Sequence, residues 1–249
     1  MIFRRSALCL IIAWSCLGAA VMDPRLVEAV KRKDSAALRS LIQQGVDVNA
    51  TAADGATALH WAAELEDLES AGALIAKGAN ANAANVHGAT PLFLACMNGS
   101  AALVDLLLKA GAEPNSVSPE GETALMTAAR SGKKDALKLL LARGAEVNRK
   151  ETWRGQTALM WAAAEGHAQA VELLVEFGAD FRARSNGGFT PLLFAVREGR
   201  MEVVRGLLKA GADANESLPA RARRRPGAST TEPSSVRAGS SALHLAVAN

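Results

Sequence analysis

The chain has 249 residues, enough for one or two domains, and a formal net charge of +3 at neutral pH. This small positive excess excludes a polycation of the kind that coats nucleic acid. Almost half of the residues are hydrophobic, but only 4% are aromatic and none is tyrosine. This composition favours thin helices packed through alanine and leucine over one thick core.

The first 22 residues, MIFRRSALCLIIAWSCLGAAVM, have the three parts of a secretory signal. Arg4 and Arg5 give a positive start, an apolar run follows, and small residues stand at 18–20. The apolar run is shorter than the roughly 20 residues that a membrane-spanning helix needs. We therefore expect residues 1–22 to be a signal peptide and the protein to be periplasmic or secreted. An uncleaved membrane anchor and a buried helix of the fold are the alternatives.

Residues 23–49 form the first of several helix–turn–helix units, with apolar residues at helical spacing in both halves. Lys31, Arg32 and Lys33 mark a polar, solvent-facing side. A terminal repeat needs such a side because it has a neighbour on one face only. We interpret this unit as an N-terminal cap.

Two landmarks recur at intervals of 33 or 34 residues along the chain. A threonine is predicted to cap the first helix of each unit, and a glycine is predicted to end the second helix in a left-handed backbone. The threonines are Thr57, Thr90, Thr123, Thr157 and Thr190, and the glycines are Gly45, Gly78, Gly111, Gly144, Gly178 and Gly211. Neither helix is long enough to be stable alone in water, so the units must stack on one another.

This period of about 33 residues, with a core motif of the form T-P-L-H-x-A, resembles the ankyrin repeat family. The motifs are TALHWAA at 57–63, TPLFLAC at 90–96, TALMTAA at 123–129, TALMWAA at 157–163, TPLLFAV at 190–196 and SALHLAV at 241–247. The resemblance implies an all-α solenoid of paired antiparallel helices with projecting β-hairpin-like loops. About six repeats would occupy residues 23–215, and a partial seventh would begin at residue 240.

One turn departs from the pattern. The turn between the two helices carries glycine in four units, but Glu66 stands there in the second unit. A left-handed backbone is strained for glutamate. We expect this turn to differ from the others or to be less stable.

The family resemblance also implies projecting fingers at 52–56, 85–89, 118–122, 152–156 and 185–189. In the family, recognition residues lie at the finger tips and near the end of the first helix. Carried over by position, the candidate partner-binding residues are Val86, His87, Met97, Asn98, Pro119, Glu120, Glu122, Arg130, Ser131, Trp153, Arg154, Gln156, Glu165, Asn186, Phe189, Arg197 and Glu198.

Trp153 is the extra residue that lengthens one period to 34. An exposed aromatic side chain beside Arg154 suits a contact hot spot, since Trp and Arg dominate such spots. The alternative is a tryptophan folded down over its own hairpin. Trp61 and Trp161 are expected to pack along the inner helices, partly exposed in the groove.

Residues 216–239 interrupt the repeats with a segment rich in Pro, Ser, Ala and Arg that lacks an apolar period. Such a composition is typical of disorder. Its arginines are either a tether for an acidic partner, a phosphate surface or an anionic membrane, or part of a solvated linker. Residues 240–249 restart the motif without a second helix, so we expect a truncated repeat or a chain that continues with more repeats.

No catalytic, cofactor or metal site is predicted. The four histidines are dispersed rather than set at metal-ligand spacing. His60 and His244 match the family histidine, for which the resemblance implies a structural hydrogen bond between neighbouring repeats. Cys96 stands where other repeats have alanine or valine, with no histidine paired to it, so we expect a buried apolar role.

The expected function is that of a non-catalytic scaffold that binds another protein through its concave face and finger loops. We expect a monomer with no nucleic-acid partner and no membrane contact beyond the signal or anchor. One alternative is a repeat segment of a larger secreted enzyme or toxin whose catalytic domain lies beyond residue 249. Another is a small enzyme with a site on the concave face.

Overall fold

The computed structural model describes residues 23–218, which form twelve α-helices in six consecutive pairs. The pairs are α1 Arg25–Lys31 with α2 Ser35–Gln43, α3 Ala58–Glu64 with α4 Leu68–Ile75, α5 Pro91–Asn98 with α6 Ala101–Lys109, α7 Ala124–Arg130 with α8 Lys134–Ala142, α9 Ala158–Glu165 with α10 Ala168–Glu176, and α11 Pro191–Arg197 with α12 Met201–Lys209. This arrangement confirms the all-α solenoid of six repeats. Strand pairing within the described residues is limited to isolated bridges, Thr51 with Thr57 and Val117 with Thr123.

The threonine landmarks cap the first helices as predicted. The hydroxyls of Thr90, Thr123, Thr157 and Thr190 each accept the backbone N–H three residues ahead, at 3.2–3.4 Å. Each cap satisfies one of the donors that a helix leaves free at its start. Pro91 and Pro191 occupy the first turns of α5 and α11, where a missing N–H costs nothing.

The helices form two layers, with the first helix of each repeat in one layer and the second helix in the other. Fully buried alanines in the first helices, such as Ala62, Ala95 and Ala128, let these helices approach closely. First helices of neighbouring repeats contact one another more extensively than second helices do. The stack therefore curves, with the first helices on its inner, concave side.

Asparagines tie each repeat to the next one on the loop side. The Asn82 side chain donates to the Gly111 carbonyl at 2.8 Å and accepts the Glu113 N–H at 2.8 Å. Asn49, Asn115 and Asn148 make the same two bonds one repeat apart. Arg182 holds this place in the fifth repeat, so the fifth and sixth repeats are joined without this clamp.

The turns between paired helices have the expected left-handed backbone. Gly99 and Gly166 have φ of 81° and 86°, and Glu66 adopts φ of 55° without the freedom that glycine has. Lys33 shares this conformation at φ 53° in the first repeat, which the sequence analysis did not identify. The fold thus imposes one backbone geometry on these turns, even at the two positions where a side chain opposes it.

The sixth repeat extends further than predicted. Glu216, half-buried, accepts the Thr190 hydroxyl at 2.5 Å, and Leu218 is buried against the core. The disordered insertion expected from residue 216 therefore does not include its first three residues.

The expected signal peptide, the rest of the insertion, His244 and the partial seventh repeat lie outside the described residues. Between residues 23 and 218, no helix is long and apolar enough to cross a membrane.

Candidate functional site

The fingers are tight turns closed by one backbone hydrogen bond across the base. Asn85 N–H donates to the Ala89 carbonyl at 3.0 Å, and Ser185 N–H donates to the Phe189 carbonyl at 2.9 Å. The Asn85 side chain also accepts the Ala89 N–H at 3.0 Å, within the same turn. These bonds hold each finger in a compact, hairpin-like shape without a continuous strand.

Successive fingers are joined by hydrogen bonds, with one interruption. Val86 N–H donates to the Asp54 carbonyl at 3.0 Å, and Asn186 N–H donates to the Arg154 carbonyl at 2.8 Å. Thr152 likewise donates to the Glu120 carbonyl, at 2.9 Å from its N–H and 2.6 Å from its hydroxyl. Pro119 occupies the corresponding place in the third finger and has no N–H to donate. The described fingers therefore form two linked groups that meet at Pro119.

The fourth finger is organised by Glu151, a residue that sequence reasoning missed. Its carboxylate accepts the backbone N–H groups of Trp153, Arg154 and Gln156, at 2.6–2.9 Å, and the residue is only 7% exposed. Glu151 N–H donates to the Gln156 carbonyl at 3.0 Å, so this finger spans residues 151–156 rather than 152–156. The sequence signal for this role is an acidic residue at the position that corresponds to Asn85 in the second finger, close to the extra residue Trp153.

Trp153 projects into solvent from this finger. Its side chain is 73% exposed, and the Arg154 guanidinium lies 4.2 Å from the centre of its ring. This geometry excludes the folded-down alternative for Trp153, because a tryptophan folded over its own hairpin would be largely buried. The attraction of a cation to the ring face stabilises the pair by about 0.5–1 kcal/mol at an exposed site.

Six of the predicted partner-binding residues line one groove between the fourth and fifth fingers and helix α11. The groove has a volume of about 370 Å³. Those six are Trp153, Arg154, Gln156, Asn186, Phe189 and Arg197. Ser185, Gly187 and Phe194 complete the lining and were not predicted. Phe194 lies inside the TPLLFAV motif, where the sequence indicates only core packing.

Aromatic rings and a guanidinium form the inner wall of this groove. The rings of Phe189 and Phe194 lie 5.2 Å apart. The Arg197 guanidinium lies 4.8 Å from the first ring and 5.0 Å from the second, and its Nε donates to Glu198 at 2.8 Å. This wall combines apolar area with positive charge.

Gln156 differs from the other predicted residues because its side chain is buried, at 6% exposure. Its Oε1 is buried and has no hydrogen-bond partner among residues 23–218. Gln156 therefore lines the groove with little accessible surface.

The predicted residues of the third finger and helix α7 bond mainly to one another. Arg130 pairs with Glu122 at 2.9 Å and lies 5.3 Å from the ring of Trp161. Ser131 donates its hydroxyl to the Thr127 carbonyl at 2.9 Å. Trp161 is half-buried along the inner helices, as expected, and its indole N–H is buried without a partner among the described residues.

Trp61 repeats this arrangement in the second repeat. It is half-buried, and its indole N–H also lacks a partner in the described part of the chain. Lys31 lies 4.2 Å from the centre of its ring. A basic residue from the preceding first helix thus covers each inner-helix tryptophan. The concave side therefore carries one cation–aromatic pair near its N-terminal end and another between the fourth and fifth repeats, as well as those in the groove.

Apart from Glu198, which pairs with Arg197, the remaining predicted residues are spread along the same side and do not meet. Val86 is 66% exposed, and Met97 is also exposed. The Asn98 side-chain amide already makes a hydrogen bond within the protein, because it donates to the Glu64 carbonyl at 2.8 Å.

Ser118 donates its hydroxyl to Glu120 at 2.8 Å and so lowers the pKa of that carboxyl. His87, Pro119, Glu165 and Glu198 are exposed.

His60 has the structural role that the resemblance implied. Its Nδ1 accepts the Thr57 N–H at 3.1 Å, and its Nε2 lies 3.0 Å from the carbonyl oxygen of Ala89 in the next repeat. The ring is therefore neutral with its proton on Nε2, and burial lowers its pKa.

Cys96 is fully buried, and burial raises the pKa of its thiol. Within residues 23–218, no three His, Cys, Asp or Glu side chains cluster as a metal site would require.

Comparisons with known proteins agree with this architecture. The model of the family described as ankyrin repeats (3 copies) matches residues 26–118, 85–151 and 125–217. The crystal structure of the human ASB11 ankyrin repeat domain is similar with a TM-score of 0.72 and 32% identity, over 89% of this chain and 90% of that one. The crystal structure of EF0377, an ankyrin repeat protein, gives 0.69 and 32%, over 75% of this chain and 97% of that one.

The search of curated proteins found no match. The family matches nevertheless span most of the chain and follow the same repeats that the helices, threonine caps and left-handed turns define. The chain therefore belongs to the ankyrin repeat family.

Proposed function

We propose that this protein is a non-catalytic scaffold that binds a protein partner through its concave side and its fingers. Ankyrin repeats are in general protein–protein interaction modules. The observation that supports this most strongly is Trp153, the most exposed large hydrophobic side chain between residues 23 and 218, which lies beside the Arg154 guanidinium. Tryptophan and arginine are the residues most enriched among those that dominate binding energy at protein interfaces.

The rigidity of this surface supports the same proposal. Each finger is closed by its own backbone bond, and most neighbouring fingers are bonded to each other. Glu151 fixes the backbone that carries Trp153 and Arg154. Side chains held in place before binding lose less conformational entropy on association. A stack of short repeats thereby presents a preformed surface.

Site-specific photocrosslinking tests the proposal. A photoreactive amino acid replaces Val86, Met97 or Trp153 on the concave side, and Leu68 or Met201 as matched exposed positions on the second helices. We expect the same protein partner to be crosslinked from the first set and not from the second. Equal crosslinking from both sets, or crosslinking from the second set alone, would contradict the proposal.

A double variant provides an independent measurement. Trp153→Ala with Arg154→Ala removes two exposed side chains while the backbone bonds of the finger remain. We expect capture of the crosslinked partner to weaken at least tenfold, with a melting temperature close to that of the native chain. Unchanged capture together with a large fall in melting temperature would assign these side chains to folding instead.

We also propose that residues 1–22 direct export, so that the partner is met in a periplasm or outside the cell. The support is the order of positive, apolar and small residues in the sequence. Mass spectrometry of the protein from its native host should find a mature chain that lacks Arg4 and Arg5. An intact N-terminus on a chain retained in the cytosol would contradict this.

A further inference from the structure

We propose that the groove between the fourth and fifth fingers binds a short acidic segment of a protein partner. In this proposal, an Asp or Glu carboxylate of the partner lies between Arg154 and Arg197. A neighbouring apolar side chain of the partner packs on Trp153 and Phe189. The inference rests on the protein-binding function proposed above and specifies the chemistry that one part of the surface recognises.

The charge of the groove favours a carboxylate. Its lining includes the two arginines and no acidic residue, and Arg197 already pairs with Glu198 beside the groove, so the inference rests on Arg154. Within residues 23–218, no carboxylate lies at ion-pair distance from the Arg154 guanidinium. Guanidinium groups present paired N–H donors in a plane that matches a carboxylate. A partner carboxylate would give Arg154 the acceptor that residues 23–218 do not supply.

The aromatic rings account for the apolar half of the ligand. Trp153 stands exposed at one edge of the groove, and Phe189 is partly exposed with Phe194 behind it. Aromatic residues and arginine together are the groups most enriched at the centre of protein interfaces. The volume of about 370 Å³ lies within the usual range of ligand pockets, roughly 300–1,000 Å³.

Gln156 lines the groove, but its Oε1 is buried, without a hydrogen-bond partner among residues 23–218. A carboxylate next to an apolar side chain, the pair that the arginine and the rings favour, occurs in a peptide segment.

A nucleic acid fits these observations less well. Arginine beside aromatic rings can also stack bases, but nucleic-acid binding usually needs an extended basic surface that follows the phosphates. Residues 23–218 contain slightly more acidic than basic side chains, and Glu165 and Glu198 lie exposed at the ends of α9 and α11. Two arginines in such surroundings favour one or two carboxylates over a polyanion.

The groove is held open by the fold, so it does not need to form on binding. The Asn186 side chain donates to the Trp153 carbonyl at 3.1 Å, in addition to the backbone bond from Asn186 to Arg154. These two bonds join the fourth and fifth fingers, whose residues line the groove. The extra residue of the fourth finger thus creates a site that the other described fingers do not repeat.

Peptide selection on the full chain tests the inference. A display library of short random peptides should yield sequences that place Asp or Glu next to Trp, Phe or Leu. A fluorescein-labelled peptide of the enriched sequence should lose affinity by at least tenfold on Arg154→Glu, as measured by fluorescence anisotropy. Replacing the acidic residue of the peptide by lysine should restore part of the binding to that variant. Arg205→Glu, on exposed α12, is the matched control and should bind as the native chain does.

Four outcomes would overturn the inference. The first two are enriched peptides without an acidic residue and peptide binding that Arg154→Glu leaves unchanged. The others are displacement of the peptide by a single-stranded oligonucleotide at lower concentration than by unlabelled peptide, and a selection that yields no peptide dependent on the groove. In each case, crosslinking from Val86 and Met97 would still report whether the general protein-binding function holds, so the two failures are distinguishable.

Discussion

The carboxylate of Glu151 accepts the backbone N–H of Arg154 at 2.8 and 2.9 Å, one from each oxygen. The same carboxylate holds the N–H groups of Trp153 and Gln156. Most other fingers use a shorter side chain at this register, such as Asn85 or Ser185, for a smaller turn. A longer acidic side chain thus allows the fourth finger to contain one more residue and to project a tryptophan.

Glu151→Ala should destabilise the protein by roughly 2–3 kcal/mol, because several backbone donors lose a charged acceptor in a buried place. Urea unfolding of the full chain, followed by circular dichroism, measures this difference. Glu151→Gln keeps an acceptor of similar shape and should cost less. Glu146→Ala is the control, since Glu146 is exposed and pairs only with Arg149 in the same loop. Equal effects of Glu151→Ala and Glu146→Ala would show that the buried carboxylate does not organise the finger.

His60 should make stability depend on pH. Burial lowers its pKa, so below the ordinary value of about 6.5 the unfolded chain binds a proton that the folded protein does not. The free energy of unfolding contributed by this site therefore falls as pH drops through about 6.5, and it stops falling below the lower pKa of the folded state. A protonated Nδ1 would also face the N–H of Thr57, which is itself a donor.

His60→Met tests this dependence with a residue that Met126 and Met160 show to be accepted at the same place in other repeats. Near pH 8 the variant should lose roughly 1–2 kcal/mol through its missing hydrogen bonds. Its stability should then decline less than that of the native chain between about pH 7 and pH 5. His87→Met, on an exposed finger, should retain the native pH profile. Identical profiles for the native chain and His60→Met would refute the assignment.

The repeats were predictable because their signals are local. A threonine hydroxyl accepts a free backbone N–H three residues later, and a glycine ends the helix that precedes it. Both effects act within a single helical turn. The fold therefore follows from Thr90, Gly99 and their copies without long-range information. Lys33 was missed because the fold, rather than the residue, imposes its left-handed backbone.

The candidate site was only partly predictable because its geometry depends on a single inserted residue. Family positions located Trp153, Arg154 and Phe189, but they treated Gln156 as one more contact residue. The insertion moves the start of the fourth finger to Glu151, and Gln156 closes that finger from inside. Phe194 belongs to the core motif by sequence, and only its packing against Phe189 shows that it also forms the groove wall.

Glu66→Gly should stabilise the protein by roughly 0.5–1 kcal/mol. The substitution removes the strain of a left-handed backbone at a residue with a side chain, about 1–2 kcal/mol. Part of this gain is offset because glycine loses more conformational entropy on folding than glutamate does. Thermal and urea unfolding of the full chain measure the difference.

Gly99→Ala is the matched control at the same turn of the next repeat and should have the opposite sign. Its Cβ would lie 2.3 Å from a methylene carbon of Lys133, so this side chain must move, and the backbone at φ 81° becomes strained. We expect a loss of about 1 kcal/mol or more. Stabilisation by both substitutions, or by neither, would contradict a common left-handed turn.

Cys96 should be unreactive in the folded protein and reactive once the third repeat opens. Its thiol is fully buried and burial raises its pKa, so the thiolate that attacks an alkylating reagent is scarce in the native state. Iodoacetamide labelling of the full chain, read by mass spectrometry of the peptide that contains residue 96, separates this thiol from Cys9 and Cys16. Labelling should rise steeply with urea, together with unfolding.

Substitutions at Cys96 should follow the residues of the other repeats. Cys96→Ala places there the residue that Ala63, Ala129 and Ala163 already provide, so it should cost about 1 kcal/mol or less. Cys96→Ser buries a hydroxyl without an assigned partner and should cost more, roughly 1–3 kcal/mol. Rapid labelling of native Cys96, or a serine variant as stable as the alanine variant, would show that water reaches this thiol and that the third repeat is not closed as described.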